Sequence, residues 1–294
     1  MSTQVRRKTD GPRAGRASKS VSWGQQQRLE FIESRLFWEG RLNRADLMMM
    51  FNISLPQASL DLSKYLQLAP QNLTYDRNLK AYFPTANFAP AVIQPDADLY
   101  LSGLLRHEAG TPGGWSPPVE SVPHPMRQVK SAILRPVLRA IRWREKLTLK
   151  YQSFSSPTPS ERAISPHAIG HDGFRWHVRA FCHAHDEFRD FVFARILEVR
   201  TSEPTEADPL EDIAWHRHID LILGPHPDLS EAQKRALALD YGMKKGRVIL
   251  KTRQALAFYV MRQLGLNSTE NGPRTQQIVL LNQRAVEPLL NRNA

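Results

Sequence analysis

The chain has 294 residues, a length typical of about two domains of roughly 150 residues each. Its 40 lysines and arginines outnumber its 29 aspartates and glutamates, and the net charge of +11 favours a polyanionic partner because phosphate contacts release counterions. No stretch approaches the ~18 uninterrupted apolar residues of a membrane helix, and a single cysteine excludes an internal disulfide and fits a reducing compartment. These features predict a cytoplasmic globular protein that has no membrane partner.

The first 20 residues form a basic segment without an apolar stretch, so they do not read as a secretory signal. We expect residues 1–20 to be a disordered basic tail that adds nonspecific attraction to nucleic acid. A transit peptide is the alternative, because the segment is rich in arginine and serine.

Three short helices are predicted after the tail. Apolar residues recur at helical spacing from residue 25 to 38, and a second helix begins at its cap residue Asn43. Ser54 and Gln57 form the capping-box pattern of a third helix, in which Pro56 occupies the first turn. We expect the third helix to turn its outer side to solvent, with the outward residues Gln57, Leu60, Asp61 and Lys64.

Residues 73–83 read as two short strands joined at residues 76–78, which is the pattern of a β-wing. Three helices followed by such a hairpin predict a winged helix-turn-helix over residues 21–90, in which the third helix enters the major groove of DNA. The predicted DNA-binding residues are Ser54, Gln57, Ser59, Lys64, Tyr75, Arg77 and Lys80. A winged helix that mediates only protein contacts is the alternative.

Prolines and glycines mark residues 91–145 as a helical linker, with one helix at about 96–108 and another at about 126–146 that Pro136 interrupts or kinks. Four short strands follow, which predict a small barrel over residues 146–202. These strands are placed at residues 147–154, 163–169, 174–181 and 188–194.

The last part, residues 203–294, mixes helix and strand and predicts an α+β extension. Ser230 opens a helix that reaches residue 239. A strand at 247–251, a helix at 254–264 and a strand at 276–281 complete the predicted extension. The fold class is therefore α+β, with several domains.

Alternation along the third predicted barrel strand places Arg175, His177 and Arg179 on one face. Arg189 and Arg195 share a face of the next segment with Phe191 and Phe193. If the two strands are neighbours, His177, Arg179, Arg189 and Arg195 converge with Phe191 into a cationic pocket, because arginines bind phosphates and aromatic rings stack on bases. Solvated surface arginines are the alternative.

Several of these segments resemble a known family. Residues 176–180, Trp-His-Val-Arg-Ala, resemble the Trp-Tyr-Leu signature that names WYL domains, and residues 189–196 resemble that family's second conserved stretch. Residues 53–62 and 73–76 resemble the winged-helix half of WYL-domain transcriptional regulators, in particular the subgroup that controls the BREX and CBASS phage-defence loci. Residues 221–257 resemble the C-terminal extension of these regulators.

The resemblance implies an Sm-like barrel that senses a negatively charged ligand, a nucleotide or an oligonucleotide. It also implies a homodimer on a pseudo-palindromic DNA operator, acting as a repressor of a defence locus or of its own promoter. The implied ligand-binding residues are Tyr151, Arg162, His167, Trp176, His177, Arg179, Arg189, Phe191 and Arg195. His177 and Val178 stand where the family has Tyr and Leu, so the role of that Tyr does not transfer unchanged.

No Gly-x-Ser-x-Gly, Walker or dinucleotide-binding pattern is present, so an enzyme and a cofactor are not expected. Cys182, His183, His185 and Glu187 lie close together, but their spacing matches no paired metal-ligand motif, and we expect no metal. A nucleic-acid-processing factor or nuclease subunit that holds single strands in the barrel is the main alternative function. A purely scaffolding protein is a further one.

Overall fold

A computed structural model describes residues 22–106, 115–123, 125, 127–266, 272–273 and 275–290. The chain divides into two compact units between residues 124 and 125. The predicted basic tail lies outside the described residues. Helices and several antiparallel sheets are present, which confirms the predicted α+β class.

The N-terminal unit combines helices with a two-stranded antiparallel sheet. Its elements are α1 (Trp23–Glu39), α2 (Arg44–Phe51), α3 (Leu55–Leu68), β1 (Leu73–Asp76), β2 (Ala81–Pro84) and α4 (Ala97–Arg106). Local signals set the helix boundaries: Asn43 and Asp46 form a reciprocal capping box on α2, and the Ser54 side chain accepts a hydrogen bond from the backbone N–H of Gln57 at the start of α3. The predicted winged helix-turn-helix is confirmed.

The wing turn is held by its own aspartate. Asp76 Oδ1 accepts hydrogen bonds from the backbone N–H groups of Asn78 and Leu79 at 2.8 and 2.9 Å. Lys80 closes the turn with a φ of +50°, in the left-handed region. The turn, residues 77–80, is therefore one residue longer than the predicted one at residues 76–78.

The segment after the wing packs back onto the N-terminal unit. Glu33 is fully buried, and its carboxylate accepts hydrogen bonds from the Tyr65 hydroxyl and from the backbone N–H groups of residues 91–93. In α4, Tyr100 stacks on Trp38 with the ring centroids 4.7 Å apart. The predicted domain end at residue 90 therefore needs correction, because the buried carboxylate holds the following segment in the same unit.

The second unit begins with α5 (Ser131–Trp143), which is shorter than the predicted helix. Five strands follow: β3 (Glu145–Tyr151), β4 (Ser160–His171), β5 (Trp176–Cys182), β6 (Glu187–Val192) and β7 (Ile196–Pro204). Ile133, Val137 and Ala140 share one side of α5 and are buried against the sheet. The helix therefore belongs with the sheet, although the sequence pattern predicts it in the linker.

The five strands form one antiparallel sheet in the order β6-β5-β4-β3-β7. Its two edge strands, β6 and β7, are joined by only the three residues Phe193–Arg195. A flat sheet would separate these edges by ~19 Å, whereas the four Cα–Cα steps from Val192 to Ile196 span at most ~15 Å. The sheet must therefore curl strongly, and the Tyr151 hydroxyl of β3 accepts a hydrogen bond from the backbone N–H of Val192 at the end of β6.

The C-terminal part forms a smaller α+β layer with its own core. Its elements are α6 (Ile213–His216), β8 (His218–Pro225), α7 (Glu231–Asp240), β9 (Val248–Arg253), α8 (Gln254–Gln263), β10 (Ile278–Leu280) and α9 (Gln283–Val286). The sheet order is β10-β8-β9, so β8 is its central strand. The sequence pattern predicts α7, β9, α8 and β10 but not β8, whose core side chains include Leu221 and Leu223.

The C-terminal layer lies against the five-stranded sheet. Gly170 of β4 lacks a Cβ, and one built there would come within 3.2 Å of Leu256 Cδ2 on α8. Arg253 donates a hydrogen bond to the carbonyl of Trp215 at 2.6 Å, which ties the start of α8 to α6. None of the described helices has the length and apolar character needed to cross a membrane.

Candidate functional site

The outer surface of α3 includes Leu60, as the sequence pattern predicts, but otherwise differs from the predicted set. Ala58, Asp61, Leu62 and Tyr65 are buried. Pro56, Leu60, Ser63 and Gln67, which recur at helical spacing, are exposed. The exposed side of α3 is therefore rotated by about one residue from the expected one.

The sequence pattern predicts Gln57 and Asp61 on the outer side; Gln57 is partly exposed, and the structure corrects the position of Asp61. Asp61 is fully buried and forms an ion pair with Arg28 of α1, with Nε and Oδ2 2.6 Å apart. Gln57 Nε2 donates hydrogen bonds to both Asp61 carboxylate oxygens at 3.1 and 3.2 Å. The amide nitrogen of Gln57 is therefore engaged by Asp61, so the bidentate contact to an adenine edge that the sequence predicts would require this side chain to release Asp61.

Arg44 joins α2, α3 and the wing in one cluster. Its guanidinium donates hydrogen bonds to Ser59 Oγ at 3.1 Å and to the Tyr82 hydroxyl at 2.6 Å. It also lies over the rings of Tyr75 and Tyr82, at 5.4 and 5.3 Å from their centroids. Ser59 and Tyr75, two of the predicted DNA-binding residues, are thus brought together by an arginine that no sequence pattern singled out.

The other predicted DNA-binding residues lie at the surface of the same unit. Ser54 is exposed at the start of α3, and Lys64 is half-buried on this helix. Arg77 and Lys80 are exposed in the wing turn. Lys64, Arg77 and Lys80, together with Arg44, give the face around α3 and the wing a positive charge.

A cavity of about 510 Å³ lies between the five-stranded sheet and α8. Its wall combines cations with aromatic rings. The lining residues are Tyr151, Ser153, Phe154, Ser155, Arg162, Arg175, His177, Cys182, His185, Arg189, Asp190, Phe191, Val192, Arg195, Phe258, Tyr259 and Arg262. Six of the nine predicted ligand-binding residues line it, namely Tyr151, Arg162, His177, Arg189, Phe191 and Arg195.

The arginines of this cavity differ in how far they are neutralised. Arg175 donates to the Asp172 carboxylate at 2.8 Å, and Arg189 pairs with Glu187. Arg162, Arg195 and Arg262 form no ion pair with any described residue. These three side chains leave the cavity with uncompensated positive charge.

A second cavity of about 330 Å³ shares Arg175, Tyr259 and Arg262 with the first and adds Arg127 and Phe174 to the cationic and aromatic lining. Helix α8 therefore contributes to both cavities. Its residues were not predicted because they come from a segment far along the chain. The only local signal was the placement of Phe258, Tyr259 and Arg262 on one short helix.

Arg179 does not line the cavity, and its predicted role needs correction. It is 3% exposed, and its guanidinium donates hydrogen bonds to Asp212 at 2.7 and 2.9 Å and to Asp190 at 3.3 Å. His167 also binds Asp212, at 2.9 Å, and likewise lies outside the cavity. Burial raises the pKa of Asp212, but the hydrogen bonds from His167 and Arg179 outweigh burial and hold the pKa well below its usual value.

His177 does line the cavity and is held by a second aspartate. His177 Nε2 binds Asp172 at 3.0 Å, and its ring lies 4.8 Å from the Tyr259 ring. Its Nδ1 is buried without a hydrogen-bond partner among the described residues. Burial raises the pKa of Asp172, but hydrogen bonds from His177, Phe174 and Arg175 lower it further than burial raises it.

Trp176 is also placed away from the arginines. It is half exposed, lies against the His171 ring with the centroids 4.5 Å apart and the rings tilted, and lines a separate, mostly apolar cleft with Leu134 and Phe193. The predicted cationic pocket thus retains its arginines and Phe191 but not the Trp of the signature. Within the described part of the chain, no group of three or more His, Cys, Asp or Glu side chains is arranged to hold a metal ion.

Three family models match successive parts of the chain. The model of the BrxR transcriptional regulator winged helix-turn-helix domain matches residues 24–106, the WYL domain model matches residues 132–201, and the model of the BrxR transcriptional regulator C-terminal dimerization domain matches residues 218–286. These spans cover, in turn, nearly all of α1 to α4, α5 with most of the five-stranded sheet, and the C-terminal layer from β8 to α9.

Curated relatives match over nearly the full length. The DNA-binding transcriptional repressor CapW of Escherichia coli (strain KTE188) is 40% identical over 294 residues, covering 97% of this chain and 98% of the relative. The CapW proteins of Stenotrophomonas maltophilia and Pseudomonas aeruginosa are 42% and 37% identical, covering 92% and 98% of this chain and 93% and 99% of the relatives. The chain belongs to the CapW family of transcriptional repressors.

Membership of the CapW family confirms the predicted winged-helix regulator with a WYL domain. It also explains why α5 packs on the sheet, since the WYL match begins at residue 132, within this helix. The CapW relatives are named as repressors and not as nucleases, so the alternative of a nucleic-acid-processing factor is set aside.

Proposed function

We propose that this protein is a cytoplasmic, homodimeric, sequence-specific DNA-binding repressor. An anionic ligand, bound in the cavity between the WYL sheet and α8, sets its affinity for the operator. The observation that carries the DNA-binding part is the exposed outer side of α3 beside the cations of α2 and the wing, in a chain that aligns with CapW repressors over nearly its whole length. The promoter of a phage-defence locus, or the protein's own promoter, is the proposed target.

The DNA contacts divide by chemistry. Ser54 at the start of α3 is suited to a phosphate oxygen, because helix N-termini attract anions. Arg77 and Lys80 in the wing are suited to phosphates beside the groove, whereas the outer side of α3 faces base edges. The match of residues 218–286 to a dimerization domain supports a two-fold arrangement with one α3 for each half-site.

Charge-removing variants of the wing test the phosphate contacts. Arg77→Gln combined with Lys80→Gln should weaken binding to any duplex and lower the slope of log K against log salt by about 0.9 for each phosphate that is no longer neutralised. Fluorescence anisotropy with a labelled promoter duplex at salt concentrations from about 50 to 200 mM measures this slope. Lys234→Gln, which removes a charge in the C-terminal domain, serves as the control.

An unchanged salt slope in the wing variant would contradict the proposed wing contacts. A wild-type protein that binds no duplex at about 50 mM salt would contradict the proposed function as a whole. Cleavage of the duplex in the presence of magnesium would instead favour a nuclease.

Three features of the cavity support an anionic ligand with aromatic groups. Arg162, Arg195 and Arg262 present guanidinium groups, which bind phosphates through paired N–H donors. Phe154 and Phe258 offer rings for stacking. His177 Nδ1 is a buried polar atom without a partner among the described residues, and a ligand could satisfy it.

Tyr259 connects this cavity to the C-terminal domain. Its hydroxyl donates a hydrogen bond to Asp190 Oδ2 at 3.0 Å, and the other oxygen of Asp190 accepts from Arg179. A ligand that contacts Tyr259 acts directly on α8, which is buried in the core of the C-terminal domain through Ala257 and Met261. We propose that this contact transmits ligand binding to the C-terminal domain. If the ligand changes the affinity for the operator by some factor, the operator must change the affinity for the ligand by the same factor.

A further inference from the structure

The exposed side of α3 is apolar at its centre. Leu60 is 63% exposed in the middle of the helix, and Leu55 is 52% exposed in its first turn. Ser63, the neighbour of Leu60 three residues further along the helix, is small, so it does not cover the leucine side chain.

The polar groups nearest Leu60 are already engaged within the protein. Ser63 Oγ donates a hydrogen bond to the backbone carbonyl of Ser59 at 2.9 Å, and Ser59 Oγ accepts one from Arg44. The amide of Gln57 donates to Asp61. The central part of this surface therefore offers an apolar contact where the sequence pattern predicted a hydrogen-bonding one.

Charge identifies the occupant of this apolar surface as DNA. The single acidic residue of α3, Asp61, is fully buried, so the helix presents no carboxylate to a partner. Arg44 and Lys64 lie beside the surface and favour a polyanion over a second protein. Among the base-edge groups in the major groove, the apolar one is the 5-methyl group of thymine.

We propose that Leu60 is a specificity-determining residue that reads the 5-methyl group of one or two thymines in each operator half-site. The inference rests on the proposed function, because it requires α3 to enter the major groove. A leucine that buries one methyl group on a base contributes about a fourfold preference for thymine over a base that lacks the methyl.

The test replaces thymine by deoxyuridine, which keeps the base pair and removes only the methyl group. Duplexes bound by the full-length protein are first selected from a random library, and each thymine of the selected sequence is then replaced in turn. Wild-type protein should show about fourfold weaker affinity at one or two positions in each half-site. Leu60→Ala should bind the thymine and deoxyuridine duplexes equally, because the leucine side chain that touches the methyl group is absent.

Leu68→Ala is the matched control, since Leu68 is 48% exposed on the same helix but lies about 12 Å further along its axis. This variant should keep the full preference for thymine. Wild-type affinity that is insensitive to every replacement, or a preference that survives in Leu60→Ala, would overturn the inference while leaving the proposed function standing. A selection that returns no common sequence would overturn both.

Discussion

At the scale of single residues, the second unit depends on two buried aspartates. Asp212 binds Arg179 and His167, and Asp172 binds His177 and Arg175. The Asp212 pairs lie in the contact between the WYL sheet and the segment that follows it, whereas the Asp172 pairs lie at the turn between β4 and β5 within the sheet. Arg179 is therefore a structural cation, and its removal should unfold this contact before it changes any ligand response.

Replacing Asp212 by Asn should lower the free energy of unfolding of the second unit by about 3–5 kcal/mol at neutral pH, because Arg179 would be deprived of most of its buried counter-charge. The stabilisation by a carboxylate with a lowered pKa is present above its usual value of 3.8 and disappears as the pH falls further. Wild-type stability should therefore drop below about pH 4, and the variant should show a flatter profile.

Thermal unfolding between about pH 3 and pH 7 measures both effects. The control is Asp186→Asn, an exposed turn position with a φ of +54° that Asn tolerates. Equal unfolding temperatures for wild type and Asp212→Asn at neutral pH would contradict the structural role of the Asp212–Arg179 pair.

Residue-level prediction from sequence succeeded where the signal is local and failed where the partner is distant. Ser54 and Asn43 were identified as caps because a cap acts within three residues. Asp61 was placed on the wrong side of α3 because its partner, Arg28, lies 33 residues earlier. Arg179 was assigned to the pocket because Asp212, which neutralises it, lies 33 residues later.

At the scale of elements, α8 is the part of the site that no sequence pattern revealed. The strands of the sheet carry their arginines on recognisable alternating faces, whereas α8 comes from another domain and covers the face that the alternation predicted to be open. His177 is consequently buried beside Tyr259 of α8, and Arg179 is buried against Asp212 at the start of α6. β5 is therefore buried on both faces only once the C-terminal domain has packed on the sheet, and the strand's own sequence cannot reveal this.

Removal of the Tyr259 hydroxyl should weaken the coupling between ligand binding and operator binding but should still allow the ligand to bind in the cavity. The test uses a single-stranded hexadeoxynucleotide as the probe of the cavity and measures its affinity for the protein with and without saturating promoter duplex. The wild type should show different affinities in the two states, and Tyr259→Phe should bring them closer together, because phenylalanine cannot donate to Asp190.

Arg195→Ala should weaken binding of the hexamer itself, since Arg195 is a cation of the cavity that forms no ion pair with any described residue. Arg142→Ala, an exposed position on α5, is the matched control. If hexamer affinity is the same for wild type and Arg195→Ala, the cavity is not the ligand site. An unchanged difference between the two states in Tyr259→Phe would exclude α8 as the connection.

At the scale of the whole molecule, three modules follow one another along the chain: the winged helix, the WYL domain and the C-terminal domain. We propose that the winged helix contacts DNA, the WYL sheet holds the ligand, and the C-terminal domain joins two copies. The predicted order of domains agrees with the matched family models, but the helices at residues 97–106 and 131–143 belong to the folded units and not to a linker. Helical periodicity alone could not assign these two helices to a folded unit, because it shows which side of a helix is apolar but not which surface that side packs against.

The central claim is that a two-fold dimer places one α3 in the major groove of each half-site. A hydroxyl-radical footprint of the full-length protein on the selected duplex tests it most directly. We predict two protected patches related by a two-fold axis, with centres about 10–10.5 base pairs apart or a whole multiple of that spacing. A single asymmetric patch, or protection that does not repeat with the helical turn, would contradict this claim.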